Sequence, residues 1–324
     1  MLRVFKTEQD QLVSIDVIGE KGSWINLVNP SEEELQLVHE KTGVPIELLR
    51  YPLDEEEISR IETEPDYVLI IIKIPVVRGD FYDTLPLGII IQKDLFITVC
   101  LENNALLEGF TSTAPRTVRP TIVYTFKKTR FLLQVLFQTA ALYLKYLREI
   151  DRKSDEVERK LHQATQNKQL IRLLELQKSL VYFTTSLRSN EIVMEKLLKS
   201  QLNLESLDPD DPRLIKMYEE DEDLLEDVIT ENRQAIEMGE IYTRVLSGTM
   251  DAFASVISNN LNVIMKFLTS VTIVLSIPTI VASYYGMNVA LPFQNSPFAF
   301  AGTLVVTALI SGVIVYILTK KDMF

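Results

Sequence analysis

The sequence predicts an α/β domain followed by long helices and two C-terminal transmembrane helices. Three observations carry this. β-Branched runs bounded by Gly, Pro and Asp occupy residues 67–100. Apolar residues recur at threes and fours from Phe131 to about Leu202, and again from Leu214 onward. Charge is frequent up to Lys266 and then absent from Phe267 through Thr319, a stretch of 53 residues. That stretch excludes an ordinary soluble globular protein.

Residues 1–118 read as the α/β domain. SEEELQLVHEKTG is a short helix opened by a capping box, with Ser31 at the cap and Glu34 three residues later. Strands are expected at Tyr67–Val77, Leu87–Gln92 and Leu95–Cys100, the last two joined through Lys93-Asp94 as a hairpin. The segment MLRVFKTEQDQ lacks the apolar run of a cleaved signal peptide, so residues 1–262 are expected to stay in the cytosol.

Residues 119–262 are expected to form a long helical hairpin and stalk, broken strongly only by DPDDPR at 208–213. From Leu214 no proline occurs until Pro278, so one helix of about 70 residues, about 105 Å long, should run into the membrane. Met217, Leu224, Val228, Leu246, Phe253 and Leu261 recur along it at heptad-like intervals. A seam with a period near 3.5 needs partners, either other copies or other helices of the same chain.

Residues 263–285 hold the first span and 298–319 the second, each near the roughly 20 residues that cross a hydrocarbon core. Between them, 286–297 is an outer loop broken by Pro292 and Pro297; 320–324 is a tail. Lys266, Lys320 and Lys321 flank the spans and the loop has no cation, so both termini should face the cytoplasm of a cell membrane.

Composition narrows the function. The net charge of −12 has the wrong sign for gripping phosphate backbones, so no nucleic-acid partner is expected, whereas cations suit an acidic surface. Cys100, His39 and His162 are too few for a disulfide framework or a thiolate/imidazole zinc site within one chain. GEKGSW at Gly19 lacks the spacing of a phosphate-binding loop, and no arrangement of carboxylates suggests catalysis; no enzyme is expected.

In the first span Thr272, Ser276, Thr279 and Ser283 are spaced by four, three and four, placing every hydroxyl on one helix face. Leu268, Met265 and Asn262 extend that stripe toward the cytosol as an apolar constriction and a polar exit. Small polar residues also pack membrane helices closely, so spacing alone leaves a pore lining and a packing face both open. The spans carry no carboxylate. Mg²⁺ gives up its water reluctantly and suits such a neutral lining as a hydrated ion.

Tyr285-Gly286-Met287-Asn288 lies directly after the first span and before a second span, and here the sequence resembles the CorA family of magnesium channels. The likeness runs back through Asn262, Met265-Lys266, Leu268-Thr269, Ser258-Asn259, Asp251 and Asp227-Val228 to Trp24-Ile25-Asn26-Leu27 and Asn29-Pro30. The resemblance implies a funnel-shaped homopentamer in a lipid bilayer, with the first span lining the pore. It also implies that Gly286, Met287 and Asn288 form the outer selectivity element, and that cytosolic Mg²⁺ bound between subunits closes the channel. Asp227 matches the helix side of that regulatory site, Asp80 or Asp83 lies where a partner carboxylate belongs, and Asp251 matches an acidic position at the cytoplasmic end of the pore helix. Two features depart from the family's pattern: the loop has no acid through Pro297, and only Lys320 and Lys321 form the basic tail cluster. Transport of Co²⁺, Ni²⁺ or Zn²⁺ in the same fold, and a membrane-anchored scaffold without transport, are the competing readings. Eight acids between Tyr218 and Asn232 read by default as a solvated helix face.

Overall fold

The computed structural model describes residues 1–111, 123–163, 167–202, 214–287, 297–321 and 323. The chain divides into two compact units, Met1–Ser247 and Gly248–Phe324.

The first unit is built on a seven-stranded sheet of order β2-β1-β3-β7-β6-β5-β4. Its strands are β1 (Leu2–Glu8), β2 (Gln11–Ile15), β3 (Ser23–Val28), β4 (Arg60–Thr63), β5 (Val68–Arg78), β6 (Phe81–Ile91) and β7 (Leu95–Cys100). Only β3 and β7 pair in parallel; every other neighbouring pair is antiparallel. β7 is buried at all six positions, as a strand covered on both faces must be.

Helices α1 (Glu32–Thr42) and α2 (Ile46–Arg50) cover one face, burying Leu35, Val38 and Leu49 against Ile25, Leu27, Ile71, Ile97 and Val99. The predicted capping box is present: the Ser31 hydroxyl accepts from Glu34 N, and the Glu34 carboxylate accepts from Ser31 N. Gly43 closes α1 with φ 73°, a left-handed setting that favours glycine. Helices α3 (Ala105–Thr111), α4 (Lys128–Gln163) and α5 (Asn167–Leu202) follow. They cover the other face, where Trp24, Phe96, Phe110 and Phe131 form one aromatic cluster and Tyr82, Tyr143 and Phe183 another.

Polar groups at the sheet edge are met from the helices. β4 pairs with β5 only as far as Arg60 opposite Ile71, and the backbone of Lys73 lies just past that end. Buried Asn190 of α5 takes over there, accepting from Lys73 N at 2.8 Å and donating to Lys73 O at 2.7 Å. Tyr143 also donates to Lys73 O at 3.1 Å, so Lys73 N is the group that depends on Asn190.

β6 starts at Phe81, six residues before the expected strand at Leu87, because the Gly79-Asp80 turn pairs Arg78 directly with Phe81 and the ladder begins there. Helix α6 (Glu219–Tyr285) starts five residues after Leu214. Tyr218 O accepts from Asp221 N and Glu222 N, which sets its first turn. That turn holds Glu219, Glu220, Asp221 and Glu222, stabilising a helix N-terminus electrostatically. DPDDPR lies outside the described residues.

Within the first unit α6 runs antiparallel to α5. Asn232 Nδ2 donates to Leu187 O at 3.0 Å, Arg233 pairs with Glu191 and Glu195, Arg188 pairs with Glu240, and Gln177 donates to Ser247 at 2.8 Å. Gly239 sits at their closest crossing, where a Cβ would come within 2.7 Å of the Thr184 hydroxyl oxygen.

The second unit contains the C-terminal half of α6 and α7 (Ala299–Lys320). Both are long and apolar enough to cross a membrane. Phe298, Phe300, Leu304, Leu309, Val313 and Tyr316 of this region are exposed, as side chains facing lipid would be.

Candidate ion pathway and cation-binding residues

The two sides of α6 differ in its apolar half. Ser270 and Ile277 are buried and Val274 and Val281 half-buried, spaced by four, three and four. The hydroxyl series Thr272, Ser276, Thr279 and Ser283 has the same spacing, displaced by two residues, and is exposed. Two residues turn a helix by about 200°, so the hydroxyls stand opposite the covered stripe. Asn262, Met265 and Leu268, also exposed, continue the hydroxyl side. On α7 the less exposed residues are Ala299, Thr303, Thr307, Ser311, Ile314, Val315 and Leu318, a set rich in small side chains.

The exposed hydroxyls are polarised in one sense. Thr272 Oγ1 donates to Leu268 O at 2.8 Å, Ser276 Oγ to Thr272 O at 2.8 Å, and Thr279 Oγ1 to Leu275 O at 3.1 Å. Each hydroxyl proton is thereby used inside the helix, and what faces outward is oxygen with free lone pairs. A hydrated cation presents water protons, which such a face accepts. Pro278 has no N–H, so the carbonyl of Val274 one turn below has no partner from it.

At the C-terminal end of α6 Gly286 N bonds Ala282 O at 2.9 Å and Met287 N bonds Tyr284 O at 3.3 Å, closing the helix. A Cβ at Gly286 would stand 3.3 Å from Ala282 O, so the turn favours glycine. Met287 is exposed; Asn288 lies outside the described residues.

The four acids of the expected regulatory set behave differently. Asp227 and Asp251 are exposed on α6, and neither has an ion-pair partner among the described residues. Asp80, in the β5–β6 turn, is paired with Arg172 at 2.9 Å and Lys153 at 3.9 Å. Asp83 meets Arg78 at 3.2 Å and accepts from Thr84 N at 2.8 Å. Arg78 also holds Glu55 and Glu102; its bond to Glu55 leads in raising the guanidinium above its ordinary value, against partial burial. No group of three His, Cys, Asp or Glu side chains comes together among the described residues of one chain. Free carboxylates at 227 and 251 suit a hard divalent ion, whereas at 80 and 83 the ion must displace an arginine. Of the acidic run, Asp221 is buried and paired with Arg130 at 3.2 Å, a structural use that spacing did not separate from its solvated neighbours.

Comparison with known proteins accords with this arrangement. The family model described as CorA-like Mg²⁺ transporter protein matches residues 19–321. The Cobalt/magnesium transport protein CorA of Methanocaldococcus jannaschii is 30% identical over 299 residues, 92% of this chain and 90% of the relative. Its namesake from Thermotoga maritima is 24% identical over 324 residues, covering 98% of this chain and 88% of that one. The solved complete structure of the Methanocaldococcus jannaschii CorA magnesium transporter superposes with a TM-score of 0.79 at 28% identity, covering 98% of this chain and 96% of the other. A match that runs from the turn before β3 to the end of α7 takes in five of the seven strands, the long helices and both apolar helices, and on it the chain belongs to the CorA-like Mg²⁺ transporter family.

Proposed function

We propose that this protein is a channel passing hydrated Mg²⁺ across the cell membrane down its electrochemical gradient. It works as a homopentamer with both termini in the cytoplasm. The observation that carries the reading is the exposed hydroxyl face of α6, whose Thr272, Ser276 and Thr279 protons are used inside the helix and which stands opposite the less exposed stripe through Ser270 and Ile277. Repeated around a symmetry axis, that face lines a pore for an ion that keeps its water shell. Packing alone would place the hydroxyls on the covered side.

Gly286, Met287 and Asn288 form the outer selectivity element, where a ring of Asn288 amide oxygens takes up the ion's water shell. Leu268 and Met265 form the apolar gate, and Asn262 the polar exit. Cytosolic Mg²⁺ bound between subunits, with Asp227 on the helix side and Asp80 or Asp83 opposite, favours the closed arrangement. Asp251 adds acidic charge near the pore helix. Both curated relatives are named for cobalt as well as magnesium, so Co²⁺ is the second ion to test.

The test is Mg²⁺ influx into proteoliposomes, with Co²⁺ and Ni²⁺ as competitors and native mass spectrometry for the assembly. Asn288→Ala is expected to abolish influx while the five-copy assembly persists. Normal influx through an assembled variant would remove the filter assignment, and a parent that passes no ion would favour the scaffold reading.

A further inference from the structure

Among residues 254–276 of α6, all described, Ser270 is the one buried residue, fully covered while Leu268 two positions earlier is 57% exposed. Its hydroxyl does not bond back to its own helix as those of Thr272, Ser276 and Thr279 do. Instead Ser270 Oγ donates to Met323 O at 2.9 Å. The chain reaches that point by folding over the end of α7: Leu318 O accepts from Lys321 N at 3.2 Å and from Met323 N at 3.1 Å. Leu318 is itself buried beneath the fold. A side chain of α6 thus satisfies a carbonyl just past the C-terminus of α7, where helices leave such groups orphaned.

Ser270 and Leu268 are two residues apart, so the bond grips α6 on the side opposite the Leu268 side chain. We infer that Ser270 is a positioning residue for the gate: by clasping the carbonyl of Met323 it fixes the rotation of α6 against α7 and so the direction in which Leu268 points. The inference rests on the reading of α6 as the pore helix. The contact lies between a side chain and one backbone carbonyl, so it distinguishes one rotational setting of α6 from its neighbours, which an apolar contact at the same place would not.

Two measurements test it. The first is inhibition of current by cytosolic Mg²⁺ in planar bilayers. Ser270→Ala is expected to raise the half-inhibitory concentration about threefold, the effect of one modest interhelical hydrogen bond in lipid, with ion preference unchanged. Ser270→Thr, which keeps the donor, should restore the parent curve. A chain stopped after Asp322 should shift as Ser270→Ala does, and the two changes combined should shift no further, because both remove the same bond. The second needs no current: with Cys100→Ser and Leu268→Cys, the rate of labelling by a water-soluble maleimide should change about threefold with Ser270→Ala and stay put with Ser270→Thr. A parent without Mg²⁺ current unseats the channel reading and leaves the labelling to decide the clasp. An unchanged labelling rate, a Thr variant that behaves like Ala, or an additional shift in the combined variant overturns the inference.

Discussion

At the scale of single residues the α/β domain leaves little room, and two positions show this differently. A Cβ at Gly88 on β6 would stand 2.1 Å from Cγ and 2.9 Å from Cβ of Pro52, in the short turn Tyr51–Leu53 that seals the sheet. A proline ring cannot rotate away, so Gly88→Ala must shift that turn, at a cost of about 1–3 kcal/mol. Trp24 is the single tryptophan and is fully buried in the same domain. Its emission during urea unfolding should move to a lower midpoint in Gly88→Ala, and an unmoved midpoint would mean that the turn yields freely. Cys100 is the second case: burial pushes its thiol up to about 11, while the bond from Asn104 is too weak to offset it. The thiolate is the reactive form, so iodoacetamide at pH 7.5 should modify Cys100 only after unfolding. Because the folded pKa is raised, this group's contribution to stability is intact below its ordinary value of 9.0 and is lost as pH rises toward 11.

Among the elements, α6 is the one whose character changes along its length. Its first part is fixed to α5 by Asn232, Arg233, Glu240 and the close crossing at Gly239; its apolar part presents one covered stripe and one exposed stripe. The spacing legible in the sequence places the hydroxyls on a single face but leaves pore lining and packing undecided. The outward exposure of that face, opposite Ser270 and Ile277, is what favours the lining. In a narrow pore, rings of Leu268 and Met265 would close by expelling water. On the proposed gating, Leu268→Ser should then raise current at the high cytosolic Mg²⁺ that is expected to close the parent. If the variant stays as inhibited as the parent in single-channel records, the gate lies elsewhere on α6.

For the whole molecule, the proposed regulation requires carboxylates of the long helix to act on a pore that they do not line. In the proposed channel Asp227 precedes the apolar part of α6 by roughly 40 residues, so it is expected to act on inhibition and not as a ligand of the permeating ion. An ion held between subunits stabilises only the arrangement in which both sets of carboxylates meet, which shifts the balance of closed and open states. Asp227→Ala removes one ligand and also relieves repulsion in the ion-free assembly, so its two effects oppose each other. Weaker inhibition, with a higher half-inhibitory Mg²⁺ and unchanged ion preference, is expected from titrating cytosolic Mg²⁺ against current. Superimposable curves for parent and variant would shift the sensor to the 219–223 cluster.

What was legible in the sequence is what depends on periodicity and local chemistry. The capping box at Ser31 and Glu34, the β6–β7 hairpin, the long α6 and the two apolar helices follow from rules that act within a few residues or turns. The β1–β2 hairpin was not legible. Its turn residues Gln9 and Asp10 adopt φ of 47° and 62° without a glycine to announce it. The start of β6 escaped notice because its first residues, FYDTLP, alternate too little to stand out from a loop. Pairings between distant residues were beyond reach in principle: Asp80 with Arg172, Asn190 at the end of β4, and Ser270 with Met323 are 92, 117 and 53 positions apart. A side chain's partner across the fold is chosen by where two elements come to lie, and no spacing along the chain encodes that. The sequence by itself determined the capped helix α1, the long helices, the apolar spans and the polar face of α6; the tertiary structure alone decided which of that helix's faces is exposed, because exposure depends on what other parts of the chain come to lie against it.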